Sequence, residues 1–94
     1  MYNTEYMIVF HYKPGEQSSI EQSEEIDRAK RLGLNITVLD RQVFDDEEIR
    51  VPTLYLIAAH THSEPEVVDE YTGVMNAEEI LEWITKYDTS AVSR

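Results

Sequence analysis

No cysteine occurs among the 94 residues. Disulfides, thiolate metal ligands and thiol nucleophiles are therefore excluded. Basic residues are scarce: 8 Lys and Arg stand against 19 Asp and Glu, a formal charge of −11. Such a surface repels nucleic acid and anionic membranes, so neither is expected as a direct partner. It suits ordinary solubility, a basic protein partner, or mimicry of DNA. Only three glycines are present, and no glycine-rich phosphate loop can be assembled from them. The longest apolar runs are strand-sized, so neither a signal peptide nor a membrane span is read, and the cytoplasm is the expected location. The 41% hydrophobic content suffices for one small core. One domain is expected over residues 1–94, with 88–94 as a flexible tail.

What is present alternates between strand and helix patterns. Met7-Ile8-Val9-Phe10, extended by His11 and Tyr12, is a continuous apolar run. It predicts a central strand buried on both faces. Lys13-Pro14-Gly15 stops it. Ser18 and Ser19 each have an acidic or amide residue three positions on, as a capping box requires. A helix is expected from about Ser19 to Leu32, with Gly33 as its left-handed C-cap. Its apolar stripe is thin: Ile20, Ile26, Ala29 and Leu32. Asn35 to Asp40 reads as a second strand, parallel to the first through a right-handed crossover. Val43 to Arg50 reads as a connector with one helical turn, Phe44 and Ile49 packing inward. Thr53 to Ala59 and Glu66 to Tyr71 form a hairpin around the polar turn 60–65. Asn76 and Glu79 predict a capping box on a last helix whose Ile80, Leu81, Ile84 and Tyr87 face the sheet. Trp83 lies off that line.

Val51-Pro52-Thr53 opens the apolar run Leu54-Tyr55-Leu56-Ile57. Proline cannot donate to a ladder, so it belongs at a strand's first residue, at an edge or at a bulge. The segment resembles the cis-proline passage of thioredoxins and glutaredoxins. Val68 to Asn76, with Gly73 between strand and helix cap, resembles the same family's strand–glycine–cap passage. The resemblance covers nearly the whole chain. It implies an α/β thioredoxin-like fold of glutaredoxin size: a four-stranded mixed sheet, order 2-1-3-4, flanked by helices. It also implies a cis Val51–Pro52 bond. Glutaredoxins approach their C-x-x-C motif through Lys-Pro; here Lys13-Pro14-Gly15 is present, but Glu16-Gln17-Ser18-Ser19 replaces the motif. A carboxylate is stabilised at a helix N-terminus, yet it cannot exchange with a disulfide. The family's oxidoreductase activity is expected to be missing, and no enzyme and no cofactor are assigned.

The resemblance places a substrate groove among three segments. They are Lys13 with Gly15, Glu16, Gln17, Ser18 and Ser19; Val51, Pro52 and Thr53; and Thr72, Gly73 and Val74. The residue before the cis-proline would pair its backbone with an extended peptide. A protein partner, with basic character favoured by Glu16, is the expected ligand. Retained glutathione binding is the lesser alternative, because Lys13 could meet a carboxylate but Glu16 would repel the anionic tripeptide. Circadian clock proteins of the KaiB type are a second, weaker resemblance, with Thr-Pro-Thr-Leu where this chain has Val51-Pro52-Thr53-Leu54. An acidic DNA mimic is a further alternative. His60, His62, Glu64 and Glu66 crowd a turn without the fixed surroundings of a metal site, and Asp45 to Glu48 lacks a calcium loop's glycine and alternation. No metal is assigned.

Overall fold

A computed structural model describes residues 4–93. Strand β1 (Thr4–Tyr12) is followed by helix α1 (Gln17–Arg31), β2 (Thr37–Gln42), β3 (Thr53–His60), β4 (Glu66–Thr72) and α2 (Ala77–Thr85). The sheet order is β2-β1-β3-β4. β1 and β2 are parallel, while β1–β3 and β3–β4 are antiparallel. Both helices pack on the same face. Ile8, Phe10, Leu54 and Leu56 from the sheet meet Ile26 and Ala29 of α1 and Ile80, Trp83 and Ile84 of α2 in one cluster.

β1 thus differs from the expected strand buried on both sides. Ile8 and Phe10 are buried, but the alternate residues Met7, Val9 and His11 are only half-buried. The physical reason lies in the connector. It forms a turn closed by Glu47 N–H to Phe44 carbonyl and no helix, so no described helix lies on that face. Phe44 is 57% exposed rather than packed inward; Val43 is buried in its place and donates to the Tyr12 carbonyl.

Helix α1 starts two residues before the sequence reading. Glu16 is its N-cap, in extended backbone, and makes no side-chain cap bond. Ser18 and Ser19 lie inside the helix and do not cap it. The buried stripe is Ser19, Gln22, Ile26 and Ala29, while Ile20 and Leu32 are largely exposed. The C-terminus closes as a Schellman motif: Leu34 N–H donates to the Ala29 carbonyl and Gly33 N–H to the Lys30 carbonyl, with Gly33 at φ +119°. Residues 88–93 are docked instead of lying free. They carry a 3-10 turn at Thr89–Ala91, a bridge between Leu34 and Val92, and a bond from Asn35 N–H to the Ala91 carbonyl.

The capping box of α2 is present, with Asn76 and Glu79 each accepting from the other's backbone N–H. Two polar links fix this helix. Arg28 of α1 forks onto both Glu78 oxygens at 2.6 Å and onto Glu25 at 2.9 Å, and Glu25 also accepts from the Ala77 N–H. Trp83, off the expected apolar line, lies over β4: its Nε1–H donates to Asp69 at 2.9 Å, and the Tyr87 hydroxyl donates to the same oxygen at 2.6 Å.

The bond from Tyr87, and after it that from Trp83, holds the Asp69 carboxyl below its ordinary value of 3.8. The folded state binds this proton less tightly than the unfolded chain does. The resulting stabilisation is complete above the ordinary value and is lost as pH falls through the lowered one. Asp69→Asn should therefore unfold more easily at neutral pH, by about 1 kcal/mol after solvent screening. The difference from the parent chain should shrink toward pH 2. Urea titrations at neutral and acid pH measure both effects.

Candidate functional site

The three segments expected to form a groove converge on one end of the sheet. The register places His11 of β1 beside Thr53 of β3, and Thr53 beside Thr72 of β4. The chain enters and leaves this end through two turns and the start of α1.

At the first turn Gly15 has φ +81°, and Glu16 N–H donates to the Lys13 carbonyl at 3.2 Å. Ser19 is buried, and its Oγ accepts from the Lys13 N–H at 3.1 Å. This bond ties the turn to the first helical turn and uses the serine that sequence reading made a cap. The Ser18 hydroxyl donates to Glu16 Oε1 at 2.8 Å, and the Gln17 amide donates to Glu21 at 3.3 Å. Lys13 Nζ lies 3.5 Å from Asp45; it meets a carboxylate of its own connector.

At the second turn the Val51–Pro52 peptide is cis. Pro52 is buried, and its carbonyl accepts from Gly73 N–H at 2.9 Å. The Thr53 hydroxyl donates to the Arg50 carbonyl at 2.7 Å and lies 3.1 Å from the Thr72 hydroxyl. Gly73 adopts φ +119°, and a Cβ there would meet only the Tyr71 ring at ordinary contact distance. The backbone conformation, not crowding, calls for glycine. Among the described residues the Val51 amide and carbonyl have no hydrogen-bond partner. Pro52 stands immediately before β3, and the ladder does not extend back to Val51.

Gln22 connects the two halves. Its side-chain nitrogen donates to the Met75 carbonyl at 3.0 Å and its oxygen accepts from the Met75 N–H at 2.8 Å, both buried. Met75, which follows the Gly73-Val74 turn, is thereby held against the second turn of α1. Sequence reading missed this residue. Its signal was position: Gln22 lies three residues after Ser19 and four before Ile26, on the buried row of the helix.

The expected single groove is divided. Pro52, Thr53, Thr72 and Gly73 form one hydrogen-bonded set. Lys13, Gly15 and Ser19 instead line a cleft of about 340 Å³ with Phe10, Tyr12 and Asp40. That cleft opens on the β2 side of β1 and includes none of residues 51–53 or 72–74. His11 lies in the chain between the cleft residues Phe10 and Tyr12 and pairs in the register with Thr53 of the other set. Its ring lies 4.7 Å from that of Tyr55, its Nδ1 is buried without a partner among the described residues, and burial, then Arg41, pushes its pKa down. His60, at the far end of β3, bonds to Glu66 at 3.2 Å and to Thr4 at 3.0 Å. No three His, Asp or Glu side chains come together as a metal-binding group among the described residues.

Sheet order, the placing of both helices, the cis-proline and the glycine turn together define a thioredoxin-like fold. Solved structures agree. Thioredoxin-2 of the malaria parasite, described as a component of its protein secretion machinery, superposes with a TM-score of 0.73 at 14% identity, over 90% of this chain and 85% of that one. Trichomonas vaginalis thioredoxin gives 0.70 at 13% identity, over 88% and 79%. A further malarial protein gives 0.65 at 16% identity, over 89% and 98%. No family model and no curated protein matches the sequence. At these identities the likeness is one of fold. Without any cysteine, this chain cannot carry out thiol–disulfide exchange through its own residues.

Proposed function

We propose that this is a redox-inactive thioredoxin-fold protein that acts by binding protein, taking an extended basic peptide alongside Val51. The unpaired Val51 backbone, two residues before β3, carries the reading. A strand-like segment laid there would satisfy both groups. The neighbouring turn places Glu16 at the same end of the sheet, and the net charge of −11 draws cationic ligands from a distance.

Amide-shift titration of the full chain with short Lys- and Arg-containing peptides tests this. Shifts should centre on Val51, Thr53 and Gly73, and affinity should fall as salt rises. Methylating the peptide nitrogen that faces Val51 removes one backbone hydrogen bond and should weaken binding about fivefold. A footprint confined to Asp45–Glu48 would assign the working surface to the acidic connector and end this reading.

A further inference from the structure

The face of the sheet opposite the helices presents two apolar rows. In one, Met7 of β1 lies beside Ile57 of β3, and Ile57 beside Val67 of β4. In the other, Leu39 of β2 lies beside Val9, and Val9 beside Tyr55. None of these six belongs to the core cluster on the helical side. Leu39 is 49% and Val67 56% exposed. Together the rows make a diagonal stripe across four strands. At ~4.8 Å per strand it is about 14 Å long. That equals between two and three turns of α-helix at ~5.4 Å each.

The charges around the stripe are acidic. Glu5 stands beside Ala59 along one side of the stripe, next after the Met7–Ile57 pair, and Glu70 lies opposite Tyr55 along the other. Neither carboxylate has a partner among the described residues. Among the described residues of the four strands Arg41 is the one Lys or Arg, and it is occupied by Glu47 at 3.1 Å. A second copy of the chain would bring another −11 and set carboxylates against carboxylates.

We infer that this open face docks an amphipathic helix of a protein partner, with an apolar ridge on the stripe and Lys or Arg flanking it toward Glu5 and Glu70. Helix on sheet is the ordinary way to bury a half-apolar sheet, and here the connector between β2 and β3 provides no helix of its own. The surface is separate from the Val51 end in location and in ligand conformation, so either stands without the other.

The test uses the full chain and a synthetic helix of Leu and Lys with a continuous apolar stripe. A scrambled isomer of the same composition is the control. The striped peptide should shift the methyl signals of Met7, Val9, Leu39, Ile57 and Val67, and the isomer should leave them in place. Leu39→Glu and Val67→Glu, both at exposed positions that leave the core intact, should each weaken binding about tenfold. Equal binding by the two isomers, no binding, or a footprint restricted to the amides of Val51 and Gly73 would overturn the proposal. So would a concentration-dependent dimer that buries the same methyls in sedimentation and methyl mapping.

Discussion

Gln22→Leu should cost the folded state about 2–5 kcal/mol, measured by urea unfolding at neutral pH. The leucine is close in volume and more apolar, and the site is fully buried, so a simple transfer argument would expect a gain. The loss comes from the partner. Met75 donates its N–H to Gln22 and accepts from it with its carbonyl, and Met75 is itself 4% exposed. Leucine leaves both groups buried and unpaired. Each such group costs about 1–3 kcal/mol. Gln22→Glu separates this from packing. It keeps the shape and the acceptor, loses the donor and adds a buried charge, so it should be destabilised comparably. A variant as stable as the parent would show that water reaches Met75.

Gly33→Ala should rank second. Alanine is the better helix former in general, and replacing glycine stabilises where the backbone permits. Here φ is +119°, and the new Cβ would fall on the backbone carbonyl oxygen of Ser93. Two costs add: a backbone conformation that suits glycine alone, of order 1–3 kcal/mol, and the displacement of Ser93. Ser93 N–H donates to the Gly33 carbonyl at 2.7 Å, so moving it also releases the 3-10 turn and the buried Ala91. A combined loss of about 2–4 kcal/mol is expected. It should be accompanied by faster amide exchange at Asn35 and Ser93. Measured against a parent chain that also lacks residues 92–94, the alanine variant should lose the steric share and keep only the backbone share.

These two sites show where sequence reading stops. The strands were legible because their apolar runs are local, and the sheet order followed from Val51-Pro52 and the Gly73 passage. The α2 capping box was legible because Asn76 and Glu79 are three residues apart. β2 was misplaced by two residues for a reason no local pattern holds. Leu34 and Asn35 spend their backbone on Val92 and Ala91, while Arg41 and Gln42, polar enough to end a strand, are kept in it by pairing with His11 and Tyr12. The stripe of α1 was misread because its buried row includes Ser19 and Gln22, whose partners Lys13 and Met75 are supplied by other elements. Phe44 was expected inside on hydrophobicity alone, yet its neighbour Val43 took the position bonded to Tyr12. That the three segments meet at one end of the sheet was readable from the resemblance. Its division into a hydrogen-bonded half and a cleft half depended on where α1 lies.

An apolar sheet face left open raises the hazard of strand-by-strand growth into fibrils, and the edges of this sheet bear on it. β4 is one edge. Opposite the adjacent pair Leu56 and Ile57 it carries Asp69 and Val67, so Val68 is an extra, bulged residue. Glu66, Asp69 and Glu70 add three negative charges over seven residues. A bulge twists the strand out of register with any incoming copy, and like charges stacked at the ~4.8 Å strand spacing repel. The other edge, β2, ends in Asp40-Arg41-Gln42, which interrupts its apolar residues with charge. The molecule can therefore keep a sticky face while its margins refuse polymerisation. Replacing Glu66 and Glu70 by neutral residues weakens that refusal.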